Sequence, residues 1–442
     1  MTSRRTFLKG VSVASIAGLA GCSQDGGGDT EANTAGQSGG STATDTTSQG
    51  GGDTEMDTTS QGGGDTEADT TTQSGGETDA GTTVGETGSS DSGSQRFAVS
   101  IKSMGQAGLF VQGQAAKWYT RDMDDVEVTI LDAQFDASKQ TQDAINAINQ
   151  GLDGILLNPF DAKASRQIVK AATEEDIPVM NFDTATLSED ILIGALFGQY
   201  AGGQVAAERF TQMIEDQGIE QPTVITSVFN FESTTSQERL YGFTENVPDS
   251  VEVVNRIESD GTPENSAPKT QSALQANPDV DAIYSNNVGS GMGALTALEQ
   301  TDMYYKKDNE EHVMAFGIDG GPELNQRIGA GYYDFAVDQP LHMYAPLTLE
   351  LMWSYLENGA DALPQVGDTV TPGEGLSIEN KEVDGINPWE EQFWGPAEMT
   401  EYEAEDQTWW PWLKCEDAMI TQDNADAPYL YGNVFREIEG SS

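Results

Sequence analysis

The stretch that most constrains this chain is Leu152–Asp183. Two short apolar runs, Gly154–Leu157 and Ile177–Met180, flank a segment with helical periodicity. Short and nearly uninterrupted apolar runs are typical of strands that are buried on both faces of a parallel sheet. The stretch therefore predicts a β-α-β unit, with Asp161 as the N-cap of its helix and Pro178 at the opening of its second strand.

Strand-like and helix-like segments alternate in two successive series from Phe97 to Val337. This alternation predicts an α/β fold with two doubly wound lobes, and the cleft between two such lobes is the usual place for a small ligand. Open α/β sheets bind their ligands outside the carboxyl ends of the strands. Asp183 follows the second strand of the β-α-β unit at such an end, and it is the first candidate site residue.

The chain is strongly acidic, with 73 Asp and Glu against 21 Lys and Arg and a formal net charge of −52. This balance argues against binding nucleic acid or an anionic membrane through a basic face. The acidic residues are scattered and do not have metal-ligand spacing, which favours the hydrated surface of a halophilic protein over a cation-binding role. We expect no metal and no cofactor.

The first 22 residues indicate export. Two arginines within Ser3–Lys9 precede the apolar run Val11–Ala20, which is too short to span a bilayer. This arrangement is typical of a twin-arginine signal. The following Leu19–Cys22 resembles a lipoprotein box and predicts lipidation of Cys22, the alternative being a chance cysteine. We expect a protein on the extracellular face of the cell membrane that touches the membrane only through a lipid anchor.

Residues 23–94 consist of Gly, Ser, Thr, Gln, Asp and Glu with very few apolar residues. Such a composition cannot bury enough apolar surface to offset the entropy of folding, so we predict a disordered acidic tether. If Cys22 is lipidated, Cys415 is the one cysteine left, and a disulfide within the chain is excluded.

From Arg96 to about Gly359 the chain carries short motifs in a characteristic order. They are Asp136-x3-Gln140, Gly151-x-Asp153-Gly154-Ile155, Ile177-Pro178-Val179-x3-Asp183, Arg239-x2-Gly242-Phe243, Asn277-Pro278-Asp279, Asn287, Gly317-x-Asp319-Gly320 and Gln339-Pro340. With them the chain resembles the ribose-type sugar-binding proteins of ABC transporters, which have the type I periplasmic-binding-protein fold. The resemblance implies two lobes joined by a three-crossing hinge, with crossings at about Ala195, at Gln339 and beyond Gly359.

The resemblance also implies domain boundaries. Lobe 1 is expected at 96–195 plus 340–365, lobe 2 at 196–339, and a Trp-rich C-terminal extension at 366–442. The extension contains five of the seven tryptophans. It is either an appendage that these rings hold across one lobe, or a surface for stacking sugars or docking a transporter.

A sugar offers hydroxyl groups that both donate and accept hydrogen bonds, so its pocket needs carboxylates, an arginine, amides and an aromatic ring. By position in the family pattern, the implied ligand-binding residues are Ser103, Gln106, Phe110, Asp183, Arg239, Asn287, Asp319 and Gln339. Structural roles are the alternative: the two aspartates could cap helices, and Arg239 could pair with a surface glutamate. The chain departs from the ribose pattern at several positions, among them Leu109 and Thr184, so the ligand is left unnamed.

The resemblance implies a monomeric extracellular solute-binding protein, not an enzyme, that captures a small, monosaccharide-like carbohydrate and delivers it to the permease subunits of an ABC importer. One alternative is a lipid-anchored sugar receptor that signals to a chemotaxis transducer. A second alternative is a surface glycosidase that uses Asp183 and Asp319 as its carboxylate pair.

Overall fold

The computed structural model describes residues 94–403 and 408–439. The twin-arginine segment, the predicted lipidation site Cys22 and the tether up to residue 93 lie outside these residues, so what we expect of them stays a prediction. In the described part of the chain, no helix has the length and apolar character needed to cross a bilayer.

The first lobe is built from alternating strands and helices. Its elements are β1 (Gln95–Ile101), α1 (Ala107–Thr120), β2 (Val126–Asp132), α2 (Ala137–Ile148), β3 (Gly154–Leu157), α3 (Arg166–Glu174), β4 (Val179–Phe182) and β5 (Gly194–Phe197). The five strands are parallel, in the order β5-β4-β3-β1-β2. Phe97 and Val99 pack on the side of α1, whereas Ala98 packs on the side of α2 and α3. Helices therefore cover both faces of the sheet, which explains its continuous apolar runs.

The second lobe repeats this alternation. Its elements are α4 (Gln199–Gln217), β6 (Thr223–Val228), α5 (Thr234–Thr244), β7 (Glu252–Glu258), α6 (Pro263–Ala276), β8 (Ala282–Ser285), α7 (Val288–Gln300), β9 (Met314–Ile318), α8 (Pro322–Gly329) and β10 (Phe335–Asp338). The strands are parallel, in the order β10-β9-β8-β6-β7. Phe243 stacks on Tyr284 with ring centroids 4.2 Å apart, and Phe210 stacks on Phe316 at 5.0 Å. These buried ring pairs hold α4 and α5 against the sheet.

The predicted β-α-β unit corresponds to β3, α3 and β4, with shifted boundaries. Its second strand begins at Val179, two residues later than expected. Its helix begins at Arg166, so Asp161 is not the N-cap; Asp161 instead accepts hydrogen bonds from the backbone N–H groups of Lys163 and Ala164 in a preceding turn. Aspartate satisfies backbone donors in an isolated turn as readily as at a helix start, so the N-cap signal placed the helix about one turn early.

The remaining chain contributes to both lobes. Its elements are α9 (Tyr344–Asn358), a short 3₁₀ turn (Ala360–Ala362), β11 (Thr369–Val370), β12 (Ala397–Glu403), β13 (Trp409–Cys415), β14 (Ala418–Ile420) and α10 (Tyr431–Glu439). Strand β13 lies parallel beside β5 and extends the sheet of lobe 1, with β12 and β11 antiparallel outside it. Strand β14 pairs antiparallel with β10 in lobe 2. Residues 366–442 are therefore not a separate appendage on one lobe, because their strands add to both sheets.

The chain passes between the lobes three times, which confirms the predicted hinge. The first crossing is at Gly198 between β5 and α4, and the second is at Gln339 between β10 and α9. The third is at Glu416 and Asp417, which join β13 in one sheet to β14 in the other. The crossing expected beyond Gly359 therefore lies after the tryptophan-rich strand β13.

Three of the five C-terminal tryptophans lie in the core of lobe 1. Trp389 and Trp394 are fully buried and Trp410 is 1% exposed. A Cβ atom at Gly194 in β5 would lie 2.4 Å from the Trp410 ring, so only glycine allows that ring to approach the strand. Trp409 differs, being 52% exposed. Core packing therefore accounts for most of these rings.

Candidate functional site

Two aspartates occupy matching positions in the two lobes. Asp183 follows β4 and Asp319 follows β9, and the backbone N–H of each donates to the next strand, to Ala195 O at 3.2 Å and Val337 O at 2.9 Å. Both have a positive φ, 61° and 67° respectively. A left-handed backbone is uncommon outside glycine, and aspartate is one of the residues that tolerate it. The chain thus turns sharply at both strand ends, with a carboxylate at the carboxyl edge of each sheet.

The carboxylate of Asp183 has three close partners in lobe 1. Lys102 Nζ lies 3.0 Å from Oδ2, Thr184 Oγ1 donates to Oδ2 at 2.9 Å, and Gln112 Nε2 donates to Oδ1 at 3.1 Å. Burial alone would raise the pKa of Asp183, but Lys102, with smaller contributions from Thr184 and Arg239, outweighs burial and lowers the pKa. Asp183 is therefore a charged acceptor at neutral pH.

A chain of buried amides leads from Asp183 towards the outer strands. Asn158 Nδ2 donates to Gln112 Oε1 at 2.8 Å, and Gln140 Nε2 donates to Asn158 O at 2.9 Å. These bonds fix the orientation of Gln112, so that its N–H group is directed at Asp183. Asn158 Oδ1 is buried and has no hydrogen-bond partner among the described residues.

Arg239 lies in α5 and is 4% exposed. Its Nε donates to Gln199 Oε1 at 2.7 Å, and its Nη1 donates to Asn286 O at 2.8 Å and to Asp319 Oδ2 at 2.7 Å. The hydroxyl of Tyr284 donates to the backbone carbonyl of Arg239 at 2.9 Å and so fixes this turn of the helix. Burial alone would lower the pKa of Arg239, but the Asp319 carboxylate outweighs burial and raises the pKa, so the guanidinium stays charged.

Gln339, at the second crossing, completes the lobe 2 network. Its Nε2 donates to Asp319 Oδ1 at 2.7 Å, and its Oε1 accepts a hydrogen bond from Tyr344 Oη at 3.0 Å. Gln339 is 3% exposed and lies at the second crossing, so the network reaches from the lobe 2 strand ends into a segment that joins the two lobes. Its second N–H remains for a ligand.

The charges of the two lobes act on each other. Burial and the nearer partners have the larger effects on both pKa values. Arg239 also contributes to the lowered pKa of Asp183, and Asp183 contributes to the raised pKa of Arg239. Nη2 of Arg239 forms no hydrogen bond with another described residue, and the carboxylates of Asp183 and Asp319 each keep lone pairs that are not engaged. The unengaged groups thus include both donors and acceptors, which is what hydroxyl groups require.

Three other predicted residues come from the segment that follows β1. Ser103 is 4% exposed, and its Oγ accepts a hydrogen bond from the backbone N–H of Gly105 at 3.0 Å. Gln106 is exposed at the start of α1, without a capping bond from its side chain. Phe110 makes an edge-to-face contact with Phe435 of α10, with ring centroids 5.6 Å apart. These residues lie at the same edge of the sheet as Asp183 but outside its hydrogen-bond network.

Asn287 has a structural role as a helix cap, and its predicted role as a ligand amide stays a prediction. Its Oδ1 accepts a hydrogen bond from Ser290 N at 3.1 Å as the N-cap of α7, and its Nδ2 donates to Gly261 O at 3.1 Å. The neighbouring Asn286 is the one that joins the network, through its carbonyl bond to Arg239. Asparagine is a favoured N-cap, and this local role competes with ligand binding.

Sequence reasoning missed Lys102, Gln112, Asn158 and Gln199. Gln112 carried a signal, because it follows Leu109 by three residues and is therefore a polar residue on the buried side of α1. The other three carried none, since their roles depend on partners that are distant in sequence. Among residues 94–403 and 408–439, no group of three or more His, Cys, Asp or Glu could hold a metal ion.

A family model described as a periplasmic binding protein domain matches residues 97–361, more than half of the chain. A ribose import binding protein of Bacillus subtilis is 27% identical over 205 residues, 45% of this chain and 61% of the relative. A galactofuranose-binding protein of Escherichia coli is 23% identical over 252 residues, 53% of this chain and 74% of the relative.

Solved structures show the same fold. An ABC transporter solute binding protein from Bacillus halodurans with bound myo-inositol has a TM-score of 0.58 at 17% identity, over 77% of this chain and 99% of that one. A solute binding protein from Agrobacterium vitis with bound D-fucose has a TM-score of 0.57 at 18% identity, over 76% and 99%. In sequence, the chain spans about three-fifths of the length of the ribose-binding relative.

Proposed function

Because this chain belongs to the family of periplasmic binding protein domains, we propose that it captures a small carbohydrate outside the cell and delivers it to the permease of an ABC importer. The names of its relatives support transport of a sugar or a close relative, such as ribose, galactofuranose or myo-inositol.

The observation that carries the proposal is the pairing of preorganised charges from opposite lobes. Asp183 is held in lobe 1 by Lys102 and Gln112, and Arg239 is held in lobe 2 by Asp319. Each keeps hydrogen-bonding capacity that its protein partners do not use. A ring with several hydroxyl groups can fill that capacity on both sides at once, whereas an apolar solute would leave buried charges without compensation.

Lobe closure follows from the same arrangement. A ligand held by Asp183 alone binds one lobe, and a ligand that also reaches Nη2 of Arg239 makes its full set of bonds only when the cleft is closed. It therefore favours the closed form by the difference in binding free energy between the two states. The hinge permits this rotation, because three short segments connect the lobes. A permease would then recognise the closed form.

The proposal includes a location. The twin-arginine segment and the lipoprotein box at Cys22 support export and lipid anchoring at the outer face of the cell membrane, and the charge of −52 supports work in high salt. We propose that the protein acts as a monomer. The chemotaxis and glycosidase alternatives are supported by no observation on this site, and the reported relatives are binding proteins of transporters.

A thermal-shift screen in molar salt tests the proposal. The full chain is heated with D-ribose, D-fucose, D-galactose, myo-inositol and glycerol, and with an amino acid mixture as the control. A ligand that binds only the folded state, present at a concentration of about one hundred times its Kd, adds roughly 2.7 kcal/mol to the free energy of unfolding. The melting temperature of the protein must therefore rise. A rise with amino acids and none with any sugar or polyol would overturn the proposal.

A further inference from the structure

Helix α10 lies beyond the residues that the family model matches, and it packs against helices of both lobes. The family match ends at residue 361, whereas α10 spans Tyr431–Glu439. The helix contacts α1 in lobe 1 and α8 in lobe 2. Both of these helices begin directly after a loop that carries candidate site residues, so α10 lies beside the ligand-binding loops of both sheets.

On the lobe 2 side, α10 is packed against the loop after Asp319. The hydroxyl of Tyr431 donates to the carbonyl of Gly320, the residue next to Asp319. A Cβ atom added to Gly432 would lie 2.5 Å from the carbonyl carbon of Gly321, so the two backbones touch directly. Tyr431 is 2% exposed. The helix thus supports the turn that aims the Asp319 carboxylate.

On the lobe 1 side, α10 holds a predicted ligand-contacting ring. The Phe435 ring meets the Phe110 ring edge to face, with an interplanar angle of 88°. Tyr431 lies one turn before Phe435 in α10. A Cβ atom at Gly108 would lie 3.8 Å from the Tyr431 ring, so the start of α1 is close to α10 as well. The position of Phe110 in the cleft is therefore set by a residue from the C-terminus.

The two attachments differ in strength. On lobe 2, β14 joins the sheet ahead of α10, and Asn433 Nδ2 donates to the carbonyls of Ala425 at 3.0 Å and Ala427 at 2.8 Å. On lobe 1, the contacts are the ring pair of Phe110 and Phe435 and the approach of the Tyr431 ring to Gly108. When the cleft opens, α10 is expected to stay with lobe 2 and to separate from α1.

We propose that α10 is a clasp across the cleft, in which Phe435 and Tyr431 are positioning residues for the ligand loops of the two lobes and favour the closed arrangement. The proposal rests on the proposed function for its ligand, but its effect on lobe opening does not require one. An edge-to-face ring pair that is broken on opening shifts the ratio of open to closed molecules by about two- to tenfold.

The test measures the distance between the lobes. Spin labels are attached at Glu174→Cys in α3 and Gln300→Cys in α7, both exposed, in a Cys22→Ser background; Cys415 is buried and stays unlabelled. Phe435→Ala is expected to broaden the distance distribution of the sugar-free protein and shift it towards the open form. Arg436→Ala, an exposed neighbour on the same helix, is the matched control and should leave the distribution unchanged.

Affinity is measured in parallel by calorimetry with D-ribose, D-fucose and myo-inositol. Phe435→Ala should raise the Kd of a bound sugar about two- to tenfold, and Phe435→Tyr, which keeps the ring, should restore both distance and Kd. If the thermal-shift screen shows binding of amino acids and of no sugar or polyol, the proposed function fails while the distance test of the clasp stands.

Equal distance distributions for the wild type and Phe435→Ala would overturn the clasp, even if the sugar is bound. If Phe435→Ala lowers the melting temperature too far to be measured, Phe435→Leu replaces it, because leucine keeps apolar volume and removes the ring edge. A distance distribution of Phe435→Leu equal to that of the wild type would also overturn the clasp.

Discussion

Arg239 and Asp319 form a buried ion pair, with 2.7 Å between Nη1 and Oδ2, so neither is a free ligand group waiting in the cleft. The pair orients both side chains, and Gln199 and Gln339 complete the orientation by hydrogen bonds of 2.7 Å each. In the proposed function, the ligand uses the remaining capacity, which is Nη2 of the guanidinium and the unused lone pairs of the carboxylate. Removal of either partner therefore affects stability as well as binding.

Asp183→Asn tests the lobe 1 carboxylate. The substitution keeps the shape of the side chain and removes the negative charge that pairs with Lys102 and, in the proposal, accepts hydrogen bonds from the ligand. We expect sugar affinity to fall by about 2–5 kcal/mol, roughly thirty-fold to several-thousand-fold. Calorimetric titration with the sugar found in the thermal screen measures the loss. Glu232→Gln, the same chemical change at an exposed position, is the control, and an Asp183→Asn affinity equal to that of the control would contradict the assignment.

Asp338→Asn is expected to stabilise the protein at neutral pH. Burial, followed by the charges of Asp319 and Asp417, raises the pKa of Asp338 well above its usual value of 3.8, although the N–H of Gly320 acts against this. Its Oδ2 is buried without a hydrogen-bond partner among the described residues.

The sign follows from proton linkage. The folded state binds the Asp338 proton more tightly than the unfolded state, so wild-type stability falls as pH rises from the unfolded pKa, near 4, towards the raised folded value. Asparagine removes this dependence. The melting temperature of Asp338→Asn relative to that of the wild type should rise between pH 4 and pH 8, by about 2–4 °C for each kcal/mol of stability that the wild type loses. A constant difference across that range would show that the Asp338 proton is not responsible.

The elements that could be predicted are those whose signal is local. Apolar runs placed β3 and β4 because both are buried on both faces, and position after a strand was enough to select Asp183. Asp319 was selected from the family motif Gly317-x-Asp319-Gly320. Gln339 was also identified, from its position in the family motif. Its hydrogen bond to Asp319 agrees with a place in the site, but ligand contact itself stays a prediction for all these residues.

The missed features depend on contacts that no local pattern records. Lys102 and Asp183 are 81 residues apart, and the partners of β13 in β5 lie more than 200 residues earlier in the chain. The strand β13 reads WWPWLKC, in which a proline and adjacent tryptophans obscure the alternation of a strand. Asn287 shows a local role that its motif does not record, the capping bond to Ser290, and its role as a ligand amide stays a prediction.

Lowering the salt concentration should destabilise the folded chain. With a net charge of −52, repulsion between carboxylates is screened over about 3 Å in 1 M salt but over about 10 Å at 0.1 M. We expect the melting temperature to fall steadily from molar salt to 0.1 M, and sucrose added at low salt to restore only part of it. Melting temperatures that do not change with salt would show that the acidity is no adaptation to salt.

Cys22→Ala should release the protein from the membrane without changing sugar affinity. The prediction depends on the lipoprotein box in the sequence, since Cys22 lies outside the described residues. Without the thiol no lipid can be attached, and the acidic tether has no affinity of its own for an anionic surface. Fractionation of cells that produce the variant measures the release, with Ser23→Ala as the neighbouring control. Equal retention of both variants in the membrane would exclude lipidation at Cys22.

Arg239→Lys separates the geometry of the arginine from its charge. Lysine keeps the positive charge beside Asp319, but a single ammonium cannot reach Gln199 Oε1, Asn286 O and the ligand together, as the planar guanidinium does. We expect the free energy of unfolding to fall by about 1–3 kcal/mol, because buried acceptors lose their donors.

Sugar affinity should fall further than stability alone explains, because Nη2, the donor left for the ligand, is gone as well. Calorimetry at a temperature where the variant is fully folded measures this loss, and roughly ten-fold or more is expected for a charge-assisted bond. Arg256→Lys, the same change at an exposed position of β7, controls for the substitution itself. If Arg239→Lys melts at a lower temperature yet binds sugar like the wild type, Arg239 supports the lobe and does not touch the ligand.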